Sequence, residues 1–230
     1  MKKFLLFACI GAAVFFLPPA AFGQNWSENF DSYAAGSNIV GQGGWEEWAA
    51  GNEGYVSNLY SHSPANSLDI NGVSDVVHQY TGFTSGKWVY STWQYIPSSF
   101  TGITYFILLN TYTAPSGPYM WSVQIGFDGS DGLIYGDCGS STQVTDVAFV
   151  TDEWAQIQCF IDLDYDWVQV YYNGHLLDDP ALPDHPVLGG GYQWTKGVFG
   201  GDAGALNIAA VDLFANGADP VYYDDMSLKR

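Results

Sequence analysis

The chain has 230 residues, of which 24 are acidic and six basic, giving a formal net charge of −18 at pH 7. A surface of that sign repels nucleic acid and anionic membrane, so neither is expected as a partner. The length fits one domain with a sizeable core, and no Pro-, Ser- or charge-rich stretch divides it.

The chain opens Met1-Lys2-Lys3, stays apolar from Phe4 to Leu17, and reaches Ala21 and Gly23 at the spacing of a secretory cleavage site. Residues 1–23 therefore read as a signal peptide. Residues 24–230 read as a single exported domain, secreted, periplasmic or held at the cell surface. The apolar run is too short for a good membrane span and none follows it, so no membrane insertion is expected. Cleavage would leave Lys87, Lys196, Lys229 and Arg230 as the basic residues, and Cys138 and Cys159 as the thiols. Two cysteines in an oxidising compartment can pair, and a bridge over that loop would contribute roughly 3 kcal/mol. The alternative is that Cys159, between Ile157 and Ile161, is a small core residue.

Taken in chain order, Glu28 to Tyr33 reads as an opening strand. Further strands are expected over Lys87 to Ile96, Thr104 to Thr111, Trp121 to Phe127, Trp154 to Leu163, Trp167 to Tyr172 and Val221 to Leu228. Turn dipeptides that tolerate positive φ stand at Asn71-Gly72, Asp128-Gly129, Asp131-Gly132, Asn173-Gly174 and Asn216-Gly217. This spacing predicts an all-β fold, an antiparallel sandwich. Leu206 to Phe214 also fits a helical period, but Asn216-Gly217 and the strand from Val221 make it one half of a hairpin.

Alternation assigns the faces. In the hairpin 154–172, Ala155, Ile157, Cys159, Ile161, Val168 and Val170 point inward, and Gln156, Gln158, Gln169 and Tyr171 outward. Between Lys87 and Ile96 one of two aromatic sets must leave the core. Trp93 and Tyr95 are the outward set because Ile96 has the opposite parity. On the closing strand Asp224 shares a face with Tyr222, Met226 and Leu228, and Asp225 with Tyr223 and Ser227. One carboxylate therefore meets apolar neighbours, and in a chain so poor in Lys and Arg the expected compensating charge is a cation.

Glu153-Trp154-Ala155-Gln156-Ile157, Ile161-Asp162-Leu163-Asp164 and Val170-Tyr171-Tyr172-Asn173-Gly174 resemble the centre of laminin-G-like and concanavalin A-like lectin/glucanase jelly rolls. The resemblance extends to Glu28-Asn29-Phe30-Asp31-Ser32-Tyr33, Gly41-Gln42-Gly43-Gly44-Trp45 and Tyr223-Asp224-Asp225-Met226. It implies a concanavalin A-like jelly roll over residues 24–230 whose first and last strands lie side by side. It also implies a structural calcium ion there, held by Asp31 and Asp225 with Asp224 as the alternate. On the competing reading Asp31 caps a turn before Gly36, and Asp224 and Asp225 are surface charge on an edge strand.

The catalytic patterns of the fold are missing. No strand carries a Glu-x-Asp-x-Glu run, and Asp162-Leu163-Asp164-Tyr165-Asp166 falls at a hairpin turn, where Asp bonds the local backbone. His62, His78, His175 and His185 have no zinc spacing. Nine tryptophans and sixteen tyrosines remain to be accounted for. Aromatic rings stack on sugars while amides bond hydroxyls, so Trp93, Tyr95, Gln158 and Tyr171 are the expected binding residues for an extracellular polysaccharide on the concave face. A structural or adhesive surface protein without a sugar ligand, and a polysaccharide hydrolase or lyase, stand as alternatives, since one fold hosts all three.

Overall fold

The computed structural model describes residues 25–137, 142–177, 187, 189–196 and 204–230. The expected signal peptide, Cys138 and His185 lie outside them. In chain order the strands are β1 (Trp26–Glu28), β2 (Trp45–Glu47), β3 (Tyr55–Ser57), β4 (Ser67–Ile70), β5 (Asp75–Gln79), β6 (Lys87–Tyr95), β7 (Ile103–Tyr112) and β8 (Tyr119–Asp128). They continue with β9 (Leu133–Asp137), β10 (Thr142–Ala148), β11 (Trp154–Asp162), β12 (Trp167–Tyr172), β13 (His175–Leu177), β14 (Tyr192–Gln193), β15 (Ala210–Phe214) and β16 (Val221–Lys229).

Two antiparallel sheets result. The larger runs β13-β12-β11-β6-β16-β4-β3, with β1 on β16 and β14 on β12; the smaller runs β10-β9-β8-β7-β15-β5-β2. The architecture is an all-β sandwich of the concanavalin A-like jelly-roll kind. Between the sheets lies one large core in which Trp45, Trp88, Tyr90, Phe106, Phe127, Tyr172, Trp194 and Tyr223 are fully buried.

The hairpin β11–β12 follows its alternation: Ile157, Cys159, Ile161, Val168 and Val170 are all buried. Its Asp-rich turn does what short acidic side chains do in turns, with Asp162 accepting from the amides of Asp164 and Tyr165. Cys159 is a buried thiol in the core. The expected partner Cys138 is not among the described residues.

Three expectations are corrected. The opening strand covers only Trp26–Glu28. Phe30 then takes φ of 60°, and a turn closes from the Tyr33 amide to the Phe30 carbonyl at 3.2 Å. The segment before Asn216-Gly217 is a strand, but not half of a hairpin: β15 pairs with β5 and β7 in the smaller sheet, while β16 pairs with β4, β6 and β1 in the larger. The Asn-Gly turn therefore carries the chain from one sheet to the other. Finally, the register against β6 passes from Asp224 opposite Trp93 to Ser227 opposite Ser91, three residues against two. That is a β-bulge, with Asp225 at φ of 47°. The inserted residue breaks strict alternation, so Asp224 faces outward with Tyr222 while Met226 and Leu228 face the core.

Candidate functional site

All four sequence-predicted ligand residues stand on the outer face of the larger sheet. Ser91, Gln158 and Tyr171 are directly opposed across β6, β11 and β12. Trp93 lies opposite Gln156 in the next row, and Tyr95 opposite Trp154 beyond it. The aromatic planes, however, are occupied. His62 stacks on Trp93 at 4.1 Å and 13°, and Tyr60 on Tyr95 at 4.2 Å and 23°, both from the loop between β3 and β4. Beside Ser91 a polar cleft of about 730 Å³ opens against β1, lined by Glu28, Asn29, Asp225, Ser227 and Lys229.

The three aspartates expected to hold calcium anchor that same loop. Asp224 Oδ2 accepts from the amides of His62 at 2.7 Å and Ser63 at 3.0 Å, and its Oδ1 from the amide of Asp225 at 2.7 Å. Asp225 meets His62 Nδ1 at 2.6 Å and the Ser63 hydroxyl at 2.8 Å. Asp31 Oδ1 accepts from the amides of Ala65 at 2.5 Å and Asn66 at 2.9 Å. Burial raises the Asp224 carboxyl to about 6, and its three amide donors pull the other way. A cation would compete with these donors for the same oxygens. The donor set as folded therefore does not fit calcium, and among the described residues no group of three acidic, His or Cys side chains is arranged to hold a metal.

The outer face of the smaller sheet carries a feature absent from the sequence reading. Val77, Ile107, Leu109 and Ala210 point away from the core, yet are 3% exposed or less, because Trp48, Tyr105, Tyr112, Tyr119 and Trp121 pack over them. Four strand spacings separate β2 from β8, roughly 19 Å on a flat sheet. The ring of Trp48, one residue past β2, is nevertheless 5.9 Å from that of Trp121 on β8 and 4.5 Å from Tyr119. The side chains from the two sides lean toward each other, which makes this face, and not the one bearing Trp93, the face that closes over itself.

Acids sit within the aromatic group. Register places Glu46, Val77, Asp212 and Ile107 in one row across β2, β5, β15 and β7, with Asp75 diagonal to Asp212. Glu46 accepts from Gln79 Nε2 at 2.6 Å. Burial, and secondarily the Glu46 charge, pushes the Tyr112 phenol upward. Asp75 and Asp212 are diagonal neighbours on this face. Asp212 is 3% exposed, and its carboxyl is pushed well up by burial first and by the neighbouring Asp75 charge second. The half-buried Asp75 is raised to about 6, chiefly by burial. The visible signal was Asp212 itself, a lone acid inside the apolar run Ala209–Phe214. Its partners arrive from distant strands, so no local motif contains them.

No protein-family model matches the chain, and no curated protein does. Solved structures match its fold. The cellulose induced protein Cip1 aligns at TM-score 0.54 and 16% identity over 88% of this chain and 96% of its own. The catalytic domain of the glycoside hydrolase family 131 protein from Coprinopsis cinerea aligns at 0.52 and 11% identity, over 89% and 93%. A sialidase aligns at 0.53 and 11% identity over 89% of this chain, which spans only 18% of the sialidase. At these identities the likeness establishes the sandwich and nothing finer.

Proposed function

We propose that the protein is an exported, non-catalytic glycan-binding domain and that the outer face of the smaller sheet is its binding surface. The observation that carries this reading is the group of Trp48, Tyr112, Tyr119 and Trp121 around Glu46, Gln79 and Asp75. Sugar rings bind where half-buried aromatic planes adjoin fixed hydrogen-bonding side chains. The reading gains support from the use of the same sandwich in a cellulose-induced protein and in a glycoside hydrolase catalytic domain. One observation favours catalysis instead, the pair Asp75 and Asp212. Glycoside cleavage, however, needs two carboxyls flanking an open space of about 5 Å or more, whereas Asp212 is buried. A second binding surface is favoured by the 730 Å³ cleft, whose Ser91 shares the outer face of the larger sheet with Gln158, Tyr171, Trp93 and Tyr95. On this account it is secondary, since His62 and Tyr60 cover the last two rings. A glycan array, followed by tryptophan-fluorescence titration of the hits, tests the function. Retention of at least one neutral polysaccharide is expected, and a blank array would count against it.

A further inference from the structure

At one end of the larger sheet, on its outer face, a cavity of about 240 Å³ lies among β6, β11, β12 and Arg230. Register puts Lys87, Asp162 and Trp167 in one row across these strands, and Val89, Phe160 and Gln169 in the next. The wall is aromatic. Phe160, at an outward position of β11 where Gln156 and Gln158 precede it, is 41% exposed, and its ring stands perpendicular to Tyr171 at 5.5 Å. The Trp167 indole is fixed by a hydrogen bond from Nε1 to the Gly190 carbonyl at 3.2 Å.

The rim presents donors. Asp162 is its acid, and both oxygens are in use, Oδ1 by the amides of Asp164 and Tyr165 and Oδ2 by the Lys87 ammonium at 2.8 Å. The other polar side chains of the lining, Gln169 and Arg230, carry N–H groups. Arg230 is held in place: its guanidinium lies 5.5 Å from the centre of the Trp88 ring, and its amide donates to Asn25 Oδ1 at 3.2 Å. Gly86 leaves the space the guanidinium fills, since a Cβ there would come within 2.9 Å of Nη2. Such a planar fork of N–H donors, backed by a ring, matches the geometry of a carboxylate. Charge points the same way. Of the four basic side chains in residues 24–230, Lys87 and Arg230 line this cavity, whereas Lys229 opens on the 730 Å³ cleft and Lys196 lies past β14.

We propose that this cavity is a second binding site, independent of the smaller sheet, which takes a single carboxylate-bearing sugar, a terminal uronate, with its ring against Phe160 and Trp167 and its carboxylate on Arg230. At about 240 Å³ the cavity is smaller than the ~300 Å³ at which pockets for drug-sized ligands begin, so it holds one ring and not a length of chain. The net charge of −18 repels a polyanion, but one carboxylate in direct contact with a guanidinium is governed by that contact.

The test is an NMR titration of the protein at pH 7 with methyl β-glucuronide, methyl β-glucoside and benzoate, reading the backbone amides and the indole N–H signals. The glucuronide is expected to move the Trp167 indole and the amides of Phe160 and Gln169, to leave the Trp48 and Trp121 indoles in place, and to bind at least about tenfold more tightly than the glucoside. Benzoate keeps the charge and a ring but lacks the hydroxyls, and should bind more weakly than the glucuronide. Arg230→Gln should bring the two glycosides to the same affinity, and Phe160→Ala should weaken both, with melts confirming that these exposed positions leave the fold intact. Equal affinity of the parent for the two glycosides, or a preference kept in Arg230→Gln, would overturn the proposal. So would benzoate bound as tightly as the glucuronide, which would make the ligand an aromatic acid and not a sugar. Absence of any shift with the probes in millimolar excess would remove the site, and shifts confined to Trp48 and Trp121 would remove it while supporting the surface on the smaller sheet.

Discussion

Replacing Asp212 by Asn removes a buried acid from the outer face of the smaller sheet. Its carboxyl is pushed well above the ordinary value near 3.8, by burial first and by the neighbouring Asp75 charge second. A carboxyl raised in this way contributes stability that is fully present below about pH 3.8 and is lost as pH rises toward its folded value. Each unit of displacement corresponds to about 1.4 kcal/mol, which sets the scale of the gain. Asn at 212 keeps the shape and does not titrate. The variant should therefore match the parent at pH 4 and exceed it at pH 8 by about 1–2 kcal/mol, a midpoint gain of roughly 2–8 °C for a domain of this size. Thermal melts by circular dichroism at the two pH values give the comparison. Asp224, also raised to about 6, titrates equally in both proteins and cancels in the difference. Parallel pH profiles for the two proteins, or a variant less stable than the parent at pH 8, would refute the reasoning.

Other perturbations follow from the geometry elsewhere in the fold. Gly102 has φ of 93°, and a Cβ there would stand 2.8 Å from both Cα and Cβ of Ala218. Gly102→Ala should cost about 2–4 kcal/mol in denaturant unfolding, from the backbone strain and the clash together, and an undisturbed midpoint would show that the contact relaxes freely. Asp31→Ala leaves the Ala65 and Asn66 amides without their acceptor and should cost about 1–2 kcal/mol. Because these carboxylates already bond the donors of the β3–β4 loop, melts of the parent in calcium and in chelator should coincide. A calcium-dependent rise that disappears in Asp31→Ala would restore the cation expected from the sequence.

How much was legible in the chain depended on whether the signal was local. The hairpin β11–β12 was readable because ten alternating side chains and an Asp-rich turn lie within nineteen consecutive residues. The outward direction of Trp93 and Tyr95 was readable from the same parity rule, whereas the pairing of the first and last strands, Trp26 opposite Leu228, was implied only by the family resemblance. The bulge at Asp225 was not, since an inserted residue leaves no mark in composition and reverses every parity after it. Asn216-Gly217 has the chemistry of a tight turn whether the chain stays in its sheet or crosses to the other, so sequence could not tell a hairpin from a crossing. The caps on Trp93 and Tyr95 come from a loop about thirty residues earlier, and the group at Trp48, Asp75, Tyr112, Trp121 and Asp212 spans 165 residues of chain. Its strands are brought together only by the order of the smaller sheet.

The central claim is that sugar is bound on the smaller sheet, and one paired measurement decides it most directly. Trp121→Ala and Trp93→Ala are compared with the parent in affinity electrophoresis through laminarin at pH 5, with circular dichroism melts to confirm that each is folded. The account predicts that Trp121→Ala migrates as though the polysaccharide were absent while Trp93→Ala remains retarded. Retardation kept in Trp121→Ala and lost in Trp93→Ala would contradict it and move the site to the larger sheet.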